Sequence, residues 1–368
     1  MKITYKVAAI VASGILVVAA CSKSPSPAKE SSLFGNYDQS GMLSNIGNNI
    51  LMANINTLAT SAASAQTAVN AFAGSSTAAN LTAAQAAWAT LATNWAAVAP
   101  IDFGPINDNL IEATVDTWPA NGAKIEAAIT AGSNAANVGA DTKGLKGLEY
   151  LLFDKTGNSA VLTKYTGGTA ASRATFLKSV VADVVTQANN LQSAWKNSYL
   201  SAFENAKGND VSSSVSQLIN TISLYLDQVK NMKIGNPIGM GVKVNDNQAH
   251  PDMIEYTIAE ESLPVMKANI QAMKAAFDGG SAQGLDDLLN YVKAQKNGQN
   301  LSAVVDAQFD DVITKMNAIT PPYATAVNSQ KTQVQAVFTS LKTLIAYFKV
   351  DVANNLGVTI TFTDTDGD

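Results

Sequence analysis

The sequence predicts an all-α protein, two helical bundles packed side by side, and three observations carry that prediction. Apolar residues recur at spacings of three and four through most of residues 45–355, the period of a buried helical stripe. Strand-like alternation is confined to Val358-Thr359-Ile360-Thr361-Phe362 at the very end. Alanine is frequent, whereas aromatic residues make up 7% and charged residues 14% of the chain, a composition suited to helices in close contact through small side chains.

Taken in order, a helix is predicted from Asn45 to Phe72, with Ile46, Ile50, Ile55, Leu58 and Val69 on its apolar face, and Gly74-Ser75-Ser76 ends it. A second begins near Thr82 and puts Trp88, Leu91 and Trp95 into the core before Pro100 stops it. Asp102-Phe103-Gly104-Pro105 reads as a turn, and a short helix follows Trp118-Pro119, where proline suits the first helical position. In a helix over residues 145–153, Leu145, Leu148 and Leu152 share one face while Lys146, Glu149 and Phe153 line another. Lys155 to Gly168 reads as a loop. Long helical patterns then run from Ala170 to Phe203 and from Val211 to Met232, followed by a glycine-punctuated loop from Lys233 to Gly241. The next helix is predicted from Pro251 to Phe277, bent near Pro264, and helices over 282–296, 301–319 and 323–355 complete the set.

The first residues have a processing signature. Lys2 and Lys6 precede an almost wholly apolar run from Val7 to Val18, too short to span a bilayer, which takes about 20 apolar residues. The run ends in Val18-Ala19-Ala20-Cys21, which resembles the bacterial lipobox, and Cys21 is the single cysteine. That resemblance implies cleavage before Cys21 and a membrane anchor on its thiol. Ser22 in place of an acidic neighbour points to outer-membrane delivery, facing the periplasm or the surface. The expected organisation is a signal peptide over residues 1–20, a Ser/Pro-rich tether over 21–36 starting at lipidated Cys21, bundles over 37–168 and 169–356, and an acidic tail over 357–368. With one cysteine there is no internal disulfide, so stability rests on packing. A net charge of -5 offers nucleic acid no basic footprint.

One histidine, His250, restricts the chemistry sharply. A His-Glu-x-x-His zinc site is impossible, no Gly-x-Ser-x-Gly turn accompanies His250, and Gly235 to Gly241 lacks the Gly-Lys-Ser/Thr ending of a phosphate loop. Carboxylates remain. Glu149 lies among Leu148, Leu151, Leu152 and Phe153, and a buried carboxylate must be paired or protonated. One reading is a structural Lys146–Glu149 pair; the other brings Glu149 and Glu255 together as hard oxygen ligands for a cation, with His250 a weaker candidate. Asp252 and Glu255 also fit ordinary helix-start chemistry. Asp364-Thr365-Asp366-Gly367-Asp368 lacks the downstream glutamate of a calcium loop and reads as a solvated end.

Together with the lipobox, three segments resemble the imelysin family: Trp118-Pro119, the block from Gly144 to Phe153, and Lys233-Ile234-Gly235-Asn236-Pro237-Ile238-Gly239. The resemblance covers nearly the whole chain after the tether. It implies two bundles of similar design, with a Gly-x-His-x-x-Glu motif near the cleft between them, and an association with iron uptake; founding members were described as peptidases. Carried over, the motif's glycine is Gly144 and its glutamate Glu149, but its histidine is replaced by Lys146, whose ammonium repels a metal. The motif residues are therefore Gly144, Lys146, Glu149, Trp118 and Glu255, with Glu149 and Glu255 as the metal candidates. The expected function is a non-catalytic, lipid-anchored envelope protein that binds iron, Fe2+ or Fe3+, or an iron-bearing ligand, alongside iron-transport components. An imelysin-type peptidase and a structural, partner-binding lipoprotein are the alternatives.

Overall fold

The apolar residues Met42, Leu43, Ile46, Ile55, Leu58, Val69 and Phe72 form the buried stripe of helix α1, which covers residues 39–74 in the computed structural model of the chain. The structure describes residues 33–362. The signal segment, Cys21, the tether through Ser32 and the acidic end Asp364–Asp368 lie outside the described residues.

The remaining elements follow α1 in chain order. Helix α2 (Ala78–Val98) opens with Thr77, whose side chain accepts from the Asn80 amide, and buries Trp88 and Trp95. After the short helices α3 (Pro105–Asp108), α4 (Ile111–Val115), α5 (Gly122–Thr130), α6 (Gly144–Leu152) and α7 (Asn158–Lys164) comes α8, over residues 170–205. Helix α9 covers residues 214–235, α10 is Ser262–Asp278, and α11 is Leu285–Tyr291. A hairpin of two-residue strands, β1 (Gln295–Lys296) and β2 (Gln299–Asn300), precedes α12 (Leu301–Asn317), α13 (Tyr323–Ser329) and α14, over residues 331–356. Each of α1, α8, α9 and α14 contains a π-helical stretch, at Ile46–Met52, Trp195–Tyr199, Val229–Gly235 and Tyr347–Val352.

Helix α1 packs against α2 and α8, and α14 against α9 and α12. Helix α10 touches α2 on one side and α12 on the other, so one apolar core runs from Phe34 to Val358. The small helix α6 lies on α8 and α2 with Leu145, Leu148, Leu151 and Leu152 buried, which fixes the motif block against the core.

Several boundaries differ from the sequence reading. The helix expected from Pro251 begins only at Ser262: Pro251–Met253 is a single 3-10 turn, and residues 254–261 form an irregular loop. Pro264 then falls in the first turn of α10, where the missing amide donor is harmless, and it marks the start of the helix instead of a bend. Pro119 is not a first helical residue but follows a cis peptide bond after Trp118, and α5 starts at Gly122 under an Asn121 cap. The loop expected between Lys155 and Gly168 contains α7. Lys233, Ile234 and Gly235 complete α9 instead of opening a loop. The last predicted helix is interrupted at Gln330, between α13 and α14. Residues 359–361 pair with no strand; Asn220 on α9 holds them, its Nδ2 donating to the Thr359 carbonyl at 3.0 Å and its Oδ1 accepting from the Thr361 amide at 2.7 Å.

Candidate binding site around Lys146

Gly144 explains how the site begins. Its φ is +68°, and a Cβ there would lie 2.4 Å from the Val115 carbonyl oxygen, so only glycine allows the start of α6 to lie against the chain leaving α4. That close approach puts Lys146, two residues on, beside Asp116. Lys146 Nζ lies 3.1 Å from Asp116 Oδ1 and 3.0 Å from Glu255 Oε2, and its side chain is 1% exposed. The same nitrogen stands 2.9 Å from the centroid of the Tyr256 ring. Lys233, from the π-helical end of α9, reaches the same Glu255 oxygen at 3.1 Å.

A second layer fixes these groups. Asp116 accepts at Oδ2 from the Trp95 indole at 3.0 Å and at Oδ1 from the Tyr256 hydroxyl. The Ser262 hydroxyl donates to the Glu255 carbonyl, and the Tyr323 hydroxyl donates to the Lys233 carbonyl at 3.3 Å. Trp88 donates its indole N–H to the Leu145 carbonyl at 3.0 Å and stacks edge-on against Tyr256 and Phe153. Tyr256 and Glu260 both have φ in the left-handed region, +53° and +62°, a strained state for non-glycine residues that costs of order 1–3 kcal/mol each and persists where the surroundings impose it.

Glu149 is buried, yet its partner is not Lys146. Its Oε1 accepts from the amides of Ile258 and Ala259, each at 3.0 Å, so it clamps the irregular loop onto α6. The direct Lys146–Glu149 pair is thus replaced by longer-range partners. The helix spacing puts the two side chains on one side, but Asp116 and Glu255 approach the ammonium from outside the helix.

Electrostatics follow from this geometry. Burial pushes the Glu255 carboxyl upward, but Lys146 and Lys233 outweigh it and hold the group well below the usual carboxylate range. Lys233 is held above its ordinary value: burial opposes its charge, and Glu255 more than restores it. The Glu149 carboxyl is raised, with burial the leading cause against the two amides and Lys146. Glu112, on α4, is raised to about 7 by burial and by the neighbouring Asp102 and Asp116.

The structure therefore brings together Gly144, Lys146, Glu149 and Glu255, and adds Asp116, Lys233, Tyr256 and Glu112, of which Lys233 belonged to a motif in the sequence. Asp116 stands two residues before Trp118-Pro119, the signal that could have found it; Trp118 itself is half-buried there. His250 is engaged elsewhere, its Nε2 2.9 Å from Asp246 Oδ1. Among the described residues, no group of three His, Cys, Asp or Glu side chains is arranged to hold a metal ion. The donor set does not fit a resident metal ion: Asp116 and Glu255 close on an ammonium, and the bonded oxygen of Glu149 faces backbone amides.

A comparison with curated protein sequences finds no match. Two solved structures are similar in fold. One is an imelysin-like protein from Psychrobacter arcticum 273-4, 16% identical, with 88% of this chain and 97% of that one covered at a TM-score of 0.70. The other is a putative iron-regulated protein A precursor from Parabacteroides distasonis ATCC 8503, 18% identical, with coverage of 86% and 95% and a TM-score of 0.71. The family model described as Imelysin, Peptidase_M75, matches residues 51–347, from the first long helix to the last. The chain belongs to the imelysin family.

Proposed function

We propose that this protein serves iron uptake at the cell envelope by binding an iron-bearing ligand, without catalysing a reaction, beside the Lys233–Glu255 pair and the loop that Glu149 clamps. The observation that carries the reading is the family membership, joined to a fold shared with a protein described as iron-regulated. The ammonium groups on Glu255 favour an iron-bearing ligand over the bare ion, because a free cation would have to displace Lys146 and Lys233 and overcome their repulsion. A ligand presenting oxygen acceptors could instead take hydrogen bonds from Lys233 while its iron stays outside the ion cluster.

In this reading Cys21 carries the lipid and delivery is to the outer membrane, where iron-transport components are the partners. Among the described residues no helix is long and apolar enough to cross a membrane, which fits anchoring through Cys21.

Calorimetry of the purified protein with ferrous iron, ferric iron and ferric citrate tests the proposal. Binding of the citrate complex, weakened at least tenfold by Glu149→Ala or Lys233→Ala, is the expected result. No binding of any form, or equal binding by the variants, refutes it. Cleavage of unfolded protein substrates by the wild type but not by Glu149→Ala would replace it with the peptidase reading.

A further inference from the structure

Lys146 is a cation enclosed by its own protein. Its ammonium touches a carboxylate from the chain after α4, a carboxylate from the loop before α10, and an aromatic face from that same loop. Two anions and a ring face converging on one point is the arrangement that holds a bound ammonium ion. These groups are also held without help from Lys146. Trp95 orients Asp116, Lys233 bonds Glu255, and the Tyr256 hydroxyl is fixed on Asp116.

We propose that Asp116, Glu255 and Tyr256 form a preorganised cation site whose occupant is the chain's own Lys146 ammonium. The native protein is closed at this point to free cations, iron included, and withdrawing the ammonium turns the site into a receptor for primary alkylammonium ions. Separations of 3.0–3.1 Å are hydrogen-bond lengths for an ammonium, well beyond the metal–oxygen contacts of about 2.0–2.6 Å that a hard metal ion makes. The Tyr256 ring covers the ammonium and supplies no lone pair to a metal from its face. Truncating Lys146 at Cβ removes three methylenes and the ammonium, the outline of propylammonium, from a buried position. The inference does not depend on the iron reading, and either can fail alone.

The test uses Lys146→Ala and Lys146→Met in the full chain. Propylammonium is expected to raise the melting temperature of Lys146→Ala and to bind it in calorimetry, while propanol does neither. The wild type should show no such response, and adding Asp116→Asn to Lys146→Ala should weaken binding at least tenfold. Lys146→Met fills the volume without the charge, so it should melt well below the wild type, with part of the loss restored by Asp116→Asn. A folded Lys146→Ala that ignores propylammonium, or binds it equally well with Asp116→Asn, overturns the proposal. So does tighter binding of Mn2+ than of propylammonium, or a Lys146→Met protein as stable as the wild type. Should neither variant fold alone, refolding yield decides: a gain with propylammonium over propanol supports the site, and no gain overturns it.

Discussion

Replacing Glu255 by glutamine asks how much of the molecule's stability passes through one oxygen atom. Glu255 Oε2 receives Lys146 at 3.0 Å and Lys233 at 3.1 Å, so the change removes the negative charge between two ammonium groups from different helices. Breaking a buried ion pair from one side costs about 3–5 kcal/mol because the remaining charge loses its compensation. Two features reduce that figure. The Glu255 side chain is 21% exposed, so water screens part of the interaction, and glutamine keeps an acceptor oxygen. A loss of about 2–3 kcal/mol at pH 7 follows, read in urea unfolding as a midpoint lower by about 1 M for a slope near 3 kcal/mol per M.

The pH dependence gives the sharper check. The folded protein holds this carboxyl below its ordinary value of 4.5, so its stabilisation is complete above that pH and is lost as pH falls toward the folded value. The gap between wild type and Glu255→Gln should therefore shrink to roughly half or less by pH 3. A gap under about 0.5 kcal/mol at pH 7, or one that keeps its full size at pH 3, refutes the reasoning.

Two further changes probe the surroundings. Gly144→Ala forces a left-handed residue against the Val115 carbonyl and should cost about 3 kcal/mol or more, seen as a lowered urea midpoint with Lys146 no longer protected from amine-reactive reagents. Glu112 has the opposite sign from Glu255: the folded chain keeps its proton up to about pH 7 while the unfolded chain releases it near 4.5, so stability falls as pH rises across that window and levels off above it. Glu112→Gln should remove that slope, worth about 3 kcal/mol at most, and stabilise the protein at pH 8; circular-dichroism melting from pH 4 to 9 reads both.

Much of this fold was legible because long helices advertise themselves. Ile46, Ile55, Leu58 and Val69 marked α1, and Val334, Val337, Leu341 and Leu344 marked α14, since a buried stripe repeats over many turns. Short elements were not: α7 has only one fully buried residue, Val161, too little for periodicity to register. The hairpin between Gln295 and Asn300 turns on Asn297-Gly298, both at positive φ, a two-residue signal just beyond the end of the helix expected over 282–296. At the site, Gly144, Lys146, Glu149 and Glu255 could be named because they lie in motif segments or at apparent helix starts. Their partners could not. Glu149 was expected beside Lys146 because three-residue spacing makes neighbours on a helix, whereas Asp116 and Glu255 reach the ammonium through tertiary packing, which spacing does not encode.

The distances along the chain carry one more consequence. Lys146 and Glu255 are separated by 109 residues, Glu149 and Ala259 by 110, and Asp116 and Tyr256 by 140. Contacts closing such large loops are slow to form, because chain entropy is lost before they reward it. During synthesis, the segment carrying Asp116, Lys146 and Glu149 emerges long before Glu255, Tyr256 and the Ile258–Ala259 amides exist to receive it. The ion cluster is thus a late checkpoint of folding: its closure records that the segment around residues 116–149 and the segment around residues 233–259 have found each other, and a chain stopped before residue 255 cannot assemble it.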